Sequence, residues 1–233
     1  TFTPPTTAFT DDINTALILN ADLNQGAWAE DTSTGLAIST DSRMKFDGSG
    51  DYLSIPDSTD FDISSTATVE CWFNCDSDST ANQAIYGDVG TSSDPWDLAI
   101  FLDSGGVKIT QGGFGGTLID YNGQDFRGSG AWHHLAWCYD SGETNKNVLY
   151  IDGTSVATST TTLAADIDSG LARTIGNASD DGGFRYDFSG YLDEFRWSSV
   201  VRYDATFTPQ TRGNPFTADA NTKLLIHSDY TGG

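Results

Sequence analysis

The sequence predicts an all-β protein, an antiparallel two-sheet β-sandwich of the jelly-roll kind. Short apolar runs alternate with period two, and clusters of Gly, Asp, Ser and Asn separate them at regular intervals. No amphipathic helix longer than two turns can be drawn. A hydrophobic content of 37% over 233 residues supports a packed core in one large domain.

Each element has its own signal. "MKFDG" from Met44 and "DYLSIP" from Asp51 flank Gly48-Ser49-Gly50 and read as a hairpin. "ATVECWFNC" sends Val69, Cys71 and Phe73 to one face and Glu70, Trp72 and Asn74 to the other. "WDLAIFLD" from Trp96 and "GVKIT" from Gly106 flank Ser104-Gly105-Gly106, a second hairpin. "AWHHLAWCYD" and "NVLYIDGTSVA" follow. Within the latter, Asp152-Gly153 is the strongest short hairpin signal, because both residues tolerate positive φ. "ARTIG" and "SGYLDEFRWSSV" complete the set, with a short helical turn expected near residues 198–203. Alternation nominates a core that includes Phe46, Leu53, Ile55, Val69, Phe73, Leu135, Trp137, Ile175, Leu192, Phe195 and Trp197.

The net charge is -22, carried almost wholly by Asp, since Glu30, Glu70, Glu143 and Glu194 are the only glutamates. Asp favours turns over helices, so the acidity itself describes strands joined by turns. Such a charge excludes nucleic acid and anionic membrane as partners. It suits Ca²⁺, whose usual ligands are turn carboxylates, and it also suits plain solubility. Cys71, Cys75 and Cys138 are odd in number and are expected as buried free thiols. No run is long enough to insert in a membrane. The chain starts at Thr without a signal sequence, which reads as a mature or excised piece.

One phrase occurs twice. Thr1-Phe2-Thr3-Pro4 returns as Thr206-Phe207-Thr208-Pro209, Phe9-Thr10 as Phe216-Thr217, and Asn14-Thr15 as Asn221-Thr222. Leu17 and Leu19 return as Leu224 and Ile226, which gives an offset near 205 residues. The expected division is therefore a connector at residues 1–12, the sandwich at 13–205, and a second connector with a terminal strand at 206–233. Three arrangements are open: both copies join one sandwich, the second copy begins a further module, or it adds to the edge of a neighbouring subunit.

"FDGSGDYLSIPDSTDF", "ATVECWFN", "GAWHHLAWCYD", "NVLYIDGTSVA", "RTIGNA" and "FSGYLDEFRWSSVVRY" occur in one order. Together they resemble the laminin-G-like, concanavalin A-like jelly-roll domain. The tail "RYDATFTP" with "NTKLLIHSD" resembles a subgroup found in structural proteins of tailed, often marine, phages and in large bacterial surface proteins. The resemblance implies an extracellular or virion-surface setting. Partners would be a glycan or cell-surface polysaccharide, further copies of the chain, or other virion proteins.

Catalysis is not expected. Glycoside hydrolysis needs two carboxylates on one strand face, and Asp193 and Glu194 are adjacent, so they should point to opposite faces. The lyase pattern of the fold is missing. Ca²⁺ ligands are expected at Asp47 and Asp51, which flank the Gly-rich turn, with Asp193 from a late strand. The plainer reading makes them turn caps and a buried polar residue. Ligand contacts are expected where aromatics stand beside short polar side chains in loops: Asp94, Trp96 and Asp97; Phe114, Tyr121 and Asn122; and Asp180, Asp181, Arg185 and Tyr186. Trp132 and Trp197 are expected as packing rather than sugar platforms. Asn177-Ala178-Ser179 matches a glycosylation sequon. The expected function is carbohydrate recognition without catalysis; the alternative is a structural subunit that assembles through its terminal strands.

Overall fold

The computed structural model describes residues 29–32, 35–38, 43–76, 81–88, 97–164, 170, 172–178, 186–212 and 214–228. The chain forms two compact units, residues 1–42 with 229–233, and residues 43–228. In the first, β1 (Ala29–Thr32) pairs antiparallel with β2 (Gly35–Ile38).

The second unit holds β3 (Met44–Asp47), β4 (Leu53–Ile55), β5 (Thr66–Cys75), β6 (Gln83–Asp88), β7 (Leu98–Leu102), β8 (Val107–Gln111) and β9 (Gly116–Tyr121). It continues with β10 (His133–Asp140), β11 (Asn147–Ile151), β12 (Thr154–Ser159), β13 (Arg173–Ile175), β14 (Ser189–Ser198) and β15 (Thr222–Ile226). One sheet has seven strands in the order β12-β11-β10-β5-β14-β15, with β3 also on β14. The other has six, ordered β4-β13-β6-β7-β8-β9. The fold is an all-β antiparallel sandwich, as the alternation predicts.

The inner faces supply the core. Val69, Cys71 and Phe73 from β5, Leu135 and Trp137 from β10, and Phe195 and Trp197 from β14 are buried with Ile100, Leu102 and Ile109 of the facing sheet. Trp197 is core, as expected. Leu53 is not: it stays 38% exposed at the start of the edge strand β4, which among the described residues has a neighbour on one side only. The three cysteines are buried and form no disulfide, and the Cys75 thiol donates to Gln83 Oε1 at 3.4 Å. Burial is what raises Cys71 well above an ordinary thiol and Cys138 to about 11, so neither is a nucleophile.

Two predicted hairpins are present. The 104–106 turn joins β7 to β8, and Asp152 (φ 52°) with Gly153 (φ 76°) joins β11 to β12. The third is not a hairpin. β3 pairs with β14 in one sheet and β4 with β13 in the other, so Gly48-Ser49-Gly50 carries the chain between layers. Residues 198–203 form no helix either; the short helical turn is a 3-10 turn at Thr59–Phe61, capped by the Ser58 side chain.

After β14 the chain crosses the outer face of the seven-stranded sheet. Val201, Tyr203 and Phe207 pack on Ala136, Cys138 and Tyr150. The Tyr203 and Phe207 rings lie parallel, 3.6 Å apart, and the Phe207 N–H donates to the Gly153 carbonyl at 2.9 Å. The strap then returns as β15, which pairs with Phe195, Arg196, Trp197 and Ser198 of β14. The second copy of the repeated phrase is thus a covering strap followed by an edge strand of this same sandwich. The first copy lies outside the described residues.

Candidate functional site

The strap seals a set of charged side chains on the outer face of β5, β10 and β14. Glu70, fully buried, accepts from Arg196 Nε at 2.8 Å and from the Tyr203 hydroxyl at 2.7 Å, and His134 Nε2 lies 3.3 Å away. Burial alone would raise its pKa. The His134 contact and the Arg196 charge outweigh that and hold Glu70 below the usual carboxylate range.

Asp193 and Glu194 are both buried here, against the expectation that they face opposite ways. The β14–β5 register slips between Asp193 and Arg196, and Glu194 adopts φ 50°, so two successive residues turn outward between the core residues Leu192 and Phe195. Asp193 meets Arg212 at 3.3 Å and accepts from the Ser228 hydroxyl. Glu194 accepts the Phe216 N–H at 2.6 Å and lies 2.9 Å from His227 Nδ1. The strap therefore occupies all three carboxylates.

The expected metal set does not converge. Asp47 Oδ1 accepts the Ser49 N–H at 2.7 Å and Asp51 Oδ2 the Asp47 N–H at 3.0 Å, so both cap the exposed turn. Asp47 pairs with Ser189, four residues along β14 from Asp193. Among the described residues no group of three or more His, Cys, Asp or Glu is placed to hold a metal ion.

The outer face of the six-stranded sheet is different. Ala84, Ala99, Phe101 and Ala178 form a small apolar floor, and Phe114 and Tyr186 close over it half-buried. Phe114 comes from the Gly-rich β8–β9 turn. Tyr186 is fixed by backbone bonds from its N–H to the Ala178 carbonyl and from the Ala84 N–H to its own carbonyl, each 2.9 Å. Ring centroids are 5.1 Å apart for Phe101–Phe114, 5.3 Å for Phe101–Tyr186 and 5.5 Å for Phe114–Tyr186. Register extends this patch into a polar row: Phe101 lies opposite Lys108, and Lys108 opposite Asp120. Asp120 is exposed and accepts from the exposed Asn122 at 2.8 Å.

Of the residues nominated for ligand contact, Phe114, Tyr186 and Asn122 thus share one sheet face. Tyr121 turns the other way, packing on the core with its ring 6.4 Å from Phe126. Asp97 is buried, 8% exposed, where its charge helps raise its neighbour Asp88. Asp94, Trp96, Asp180, Asp181 and Arg185 lie outside the described residues. Asn177 of the sequon is 2% exposed and donates to Asp187 at 2.5 Å, which withdraws it from modification.

A second aromatic group, Trp72, Trp132 and Tyr191, lies half-buried on the outer face of the seven-stranded sheet; of the three, Tyr191 has no role in the sequence reading, while Trp132 is expected there as packing. Arg212 covers the Trp132 ring at 4.3 Å and Arg43 the Tyr191 ring at 4.1 Å, so both indole and phenol have a packing partner. The signal was present in β5, whose outward set already included Trp72.

The fold recurs in solved structures of low identity. A candidate carbohydrate-binding protein from Bacteroides ovatus aligns with a TM-score of 0.56 at 20% identity, over 82% of this chain and 52% of that one. The NanB sialidase of Streptococcus pneumoniae gives 0.54 at 18%, over 76% and 29%. The CBM40 of the Ruminococcus gnavus IT-sialidase, bound to α2,3-sialyllactose, gives 0.53 at 16%, over 70% and 92%. The chain thus spans about half the length of the first and under a third of the second. No curated protein matches the sequence. The model of one family matches residues 47–206, from the last residue of β3 into the strap. The chain belongs to the concanavalin A-like lectin/glucanases superfamily.

Proposed function

We propose that this protein is a non-catalytic carbohydrate-binding module that takes its ligand on the outer face of the six-stranded sheet. One observation carries the reading: Phe114 and Tyr186, from separate loops, converge on Phe101 beside the row Lys108, Asp120 and Asn122. Half-buried rings offer apolar surface to the C–H side of a pyranose. The polar row offers donors and acceptors to its hydroxyls. The candidate carbohydrate-binding protein of Bacteroides ovatus and the CBM40 bound to α2,3-sialyllactose, which share this fold, lend support. Catalysis has no place in the reading, because Tyr203, Arg212 and the Phe216 N–H of the chain's own strap engage Glu70, Asp193 and Glu194. Display at a cell or virion surface is the setting in which such a module would meet a glycan or surface polysaccharide.

A glycan array probed with labelled protein, in Ca²⁺ and again in EDTA, tests this. A defined hit that persists in EDTA supports recognition by the sheet face alone. A hit lost in EDTA supports carbohydrate binding and adds a requirement for Ca²⁺. A blank array in both conditions contradicts the proposal.

A further inference from the structure

For a chain of net charge -22, the strands of the six-stranded sheet carry very little charge. Their charged residues are Arg173, Lys108, Asp88 and Asp120. Arg173 and Asp88 are 4% and 3% exposed; Arg173 pairs with Asp57 at 2.8 Å, and Asp88 accepts the Leu98 N–H at 3.0 Å. That leaves Lys108 and Asp120, cross-strand neighbours on β8 and β9, as the charges these strands present beside Phe101.

Acids outnumber bases 33 to 11, yet the half-buried Lys108 makes no ion pair among the described residues, so its N–H donors are open to a ligand. Asp120 Oδ1 accepts from the Asn122 amide at 2.8 Å, and Oδ2 has no protein partner among the described residues. Directly opposed residues stand about 5 Å apart, inside the screening length of about 8 Å in physiological salt, so the two charges act on a ligand together. A sugar hydroxyl both donates and accepts, and two neighbouring hydroxyls satisfy Lys108 and Asp120 at once. A carboxylate or sulfate only accepts. It would take the Lys108 donors but sit beside Asp120, and it would approach through the field of an acidic chain.

We propose that this face selects uncharged sugars and rejects those bearing a carboxylate or sulfate, with Asp120 as the residue that sets the choice. The inference rests on the carbohydrate reading above and adds the class of sugar to it.

The test uses the full chain on an array of paired glycans: lactose beside α2,3-sialyllactose, and other neutral glycans each beside a form carrying a uronic acid or a sulfate. Hits on the parent are expected to be neutral. Each acidic partner should bind at least about tenfold more weakly in about 20 mM salt, and the gap should shrink at about 200 mM, where the field of the chain is screened. Acidic glycans bound as tightly as their neutral partners, or more tightly, overturn the inference and leave the carbohydrate reading standing. A blank array for both classes overturns the two together. Asp120→Asn keeps the side-chain shape and removes the charge that opposes an acidic sugar. In this variant the gap is expected to narrow to about threefold or less, with a melt as cooperative as the parent's. An unchanged gap in a folded Asp120→Asn chain overturns the inference as well.

Discussion

Asp193 and Glu194 are consecutive residues whose carboxylates lie on the same face of β14. Their positions follow from one slip in register and one left-handed backbone, at Glu194 with φ 50°. That geometry gives the strap two buried anchors, Arg212 on Asp193 and the Phe216 N–H on Glu194, in addition to the Arg196 and Tyr203 contacts with Glu70. The outer face of the larger sheet is therefore a second, polar core.

Removing one partner from this core leaves a buried charge uncompensated. Glu70→Ala is expected to cost about 3–5 kcal/mol, because Arg196 stays buried without its carboxylate. Urea melts with the slope held common to both proteins measure it.

The strap should also loosen from its far end. Gly153 sits at φ 76°, and a Cβ there would stand 1.9 Å from the Phe207 carbonyl oxygen. Gly153→Ala is expected to destabilise by about 2 kcal/mol and to speed proteolytic cutting within residues 203–212. Leu53→Ser, on an exposed edge residue, serves as the control and should stay within about 0.5 kcal/mol of the parent.

Two buried acids should pull stability in opposite directions with pH. Asp88 is raised to about 7, chiefly by burial, against the Leu98 N–H and Arg173, which lower it. The folded state then holds a proton that the unfolded state has lost, so this group's contribution falls as pH rises from about 4 to 7 and is level above. Asp88→Asn should remove that slope and gain on the order of 2 kcal/mol at pH 8. Glu70 is lowered instead, so its contribution is present above the ordinary carboxylate range and is lost as pH falls through its folded value. Chemical melts at pH 4, 5.5, 7 and 8 on both proteins separate the two.

Much of the architecture was legible because a half-buried strand writes its faces into the sequence with period two. β5 shows this: its inward set Val69, Cys71 and Phe73 and its outward set Glu70 and Trp72 were assigned correctly. Asp152-Gly153 announced its turn because few residue pairs accept two positive φ values. What failed was whatever depends on partners distant in sequence. Gly48-Ser49-Gly50 has the composition of a hairpin turn, and only the pairing of β3 with β14 makes it a crossing between sheets. The bulge at Glu194 broke the alternation that set Asp193 and Glu194 apart.

The candidate site was legible in part, for a similar reason. Phe114 and Tyr186 were found by composition, as aromatics among glycines and polar residues. That they meet on Phe101 depends on the backbone bonds that tie Tyr186 to Ala84 and Ala178. Lys108 and Asp120 were not nominated, since nothing in the sequence shows that β7, β8 and β9 bring them beside Phe101.

The measurement that bears most directly on the central claim is calorimetric titration of the strongest array glycan into three proteins: the parent, the Phe114→Ala, Tyr186→Ala double variant, and Trp132→Ala. The account predicts at least about a tenfold loss of affinity in the double variant, with its melt still cooperative, and parent-like binding by Trp132→Ala. Parent-like affinity in the double variant would contradict it and place recognition away from this face.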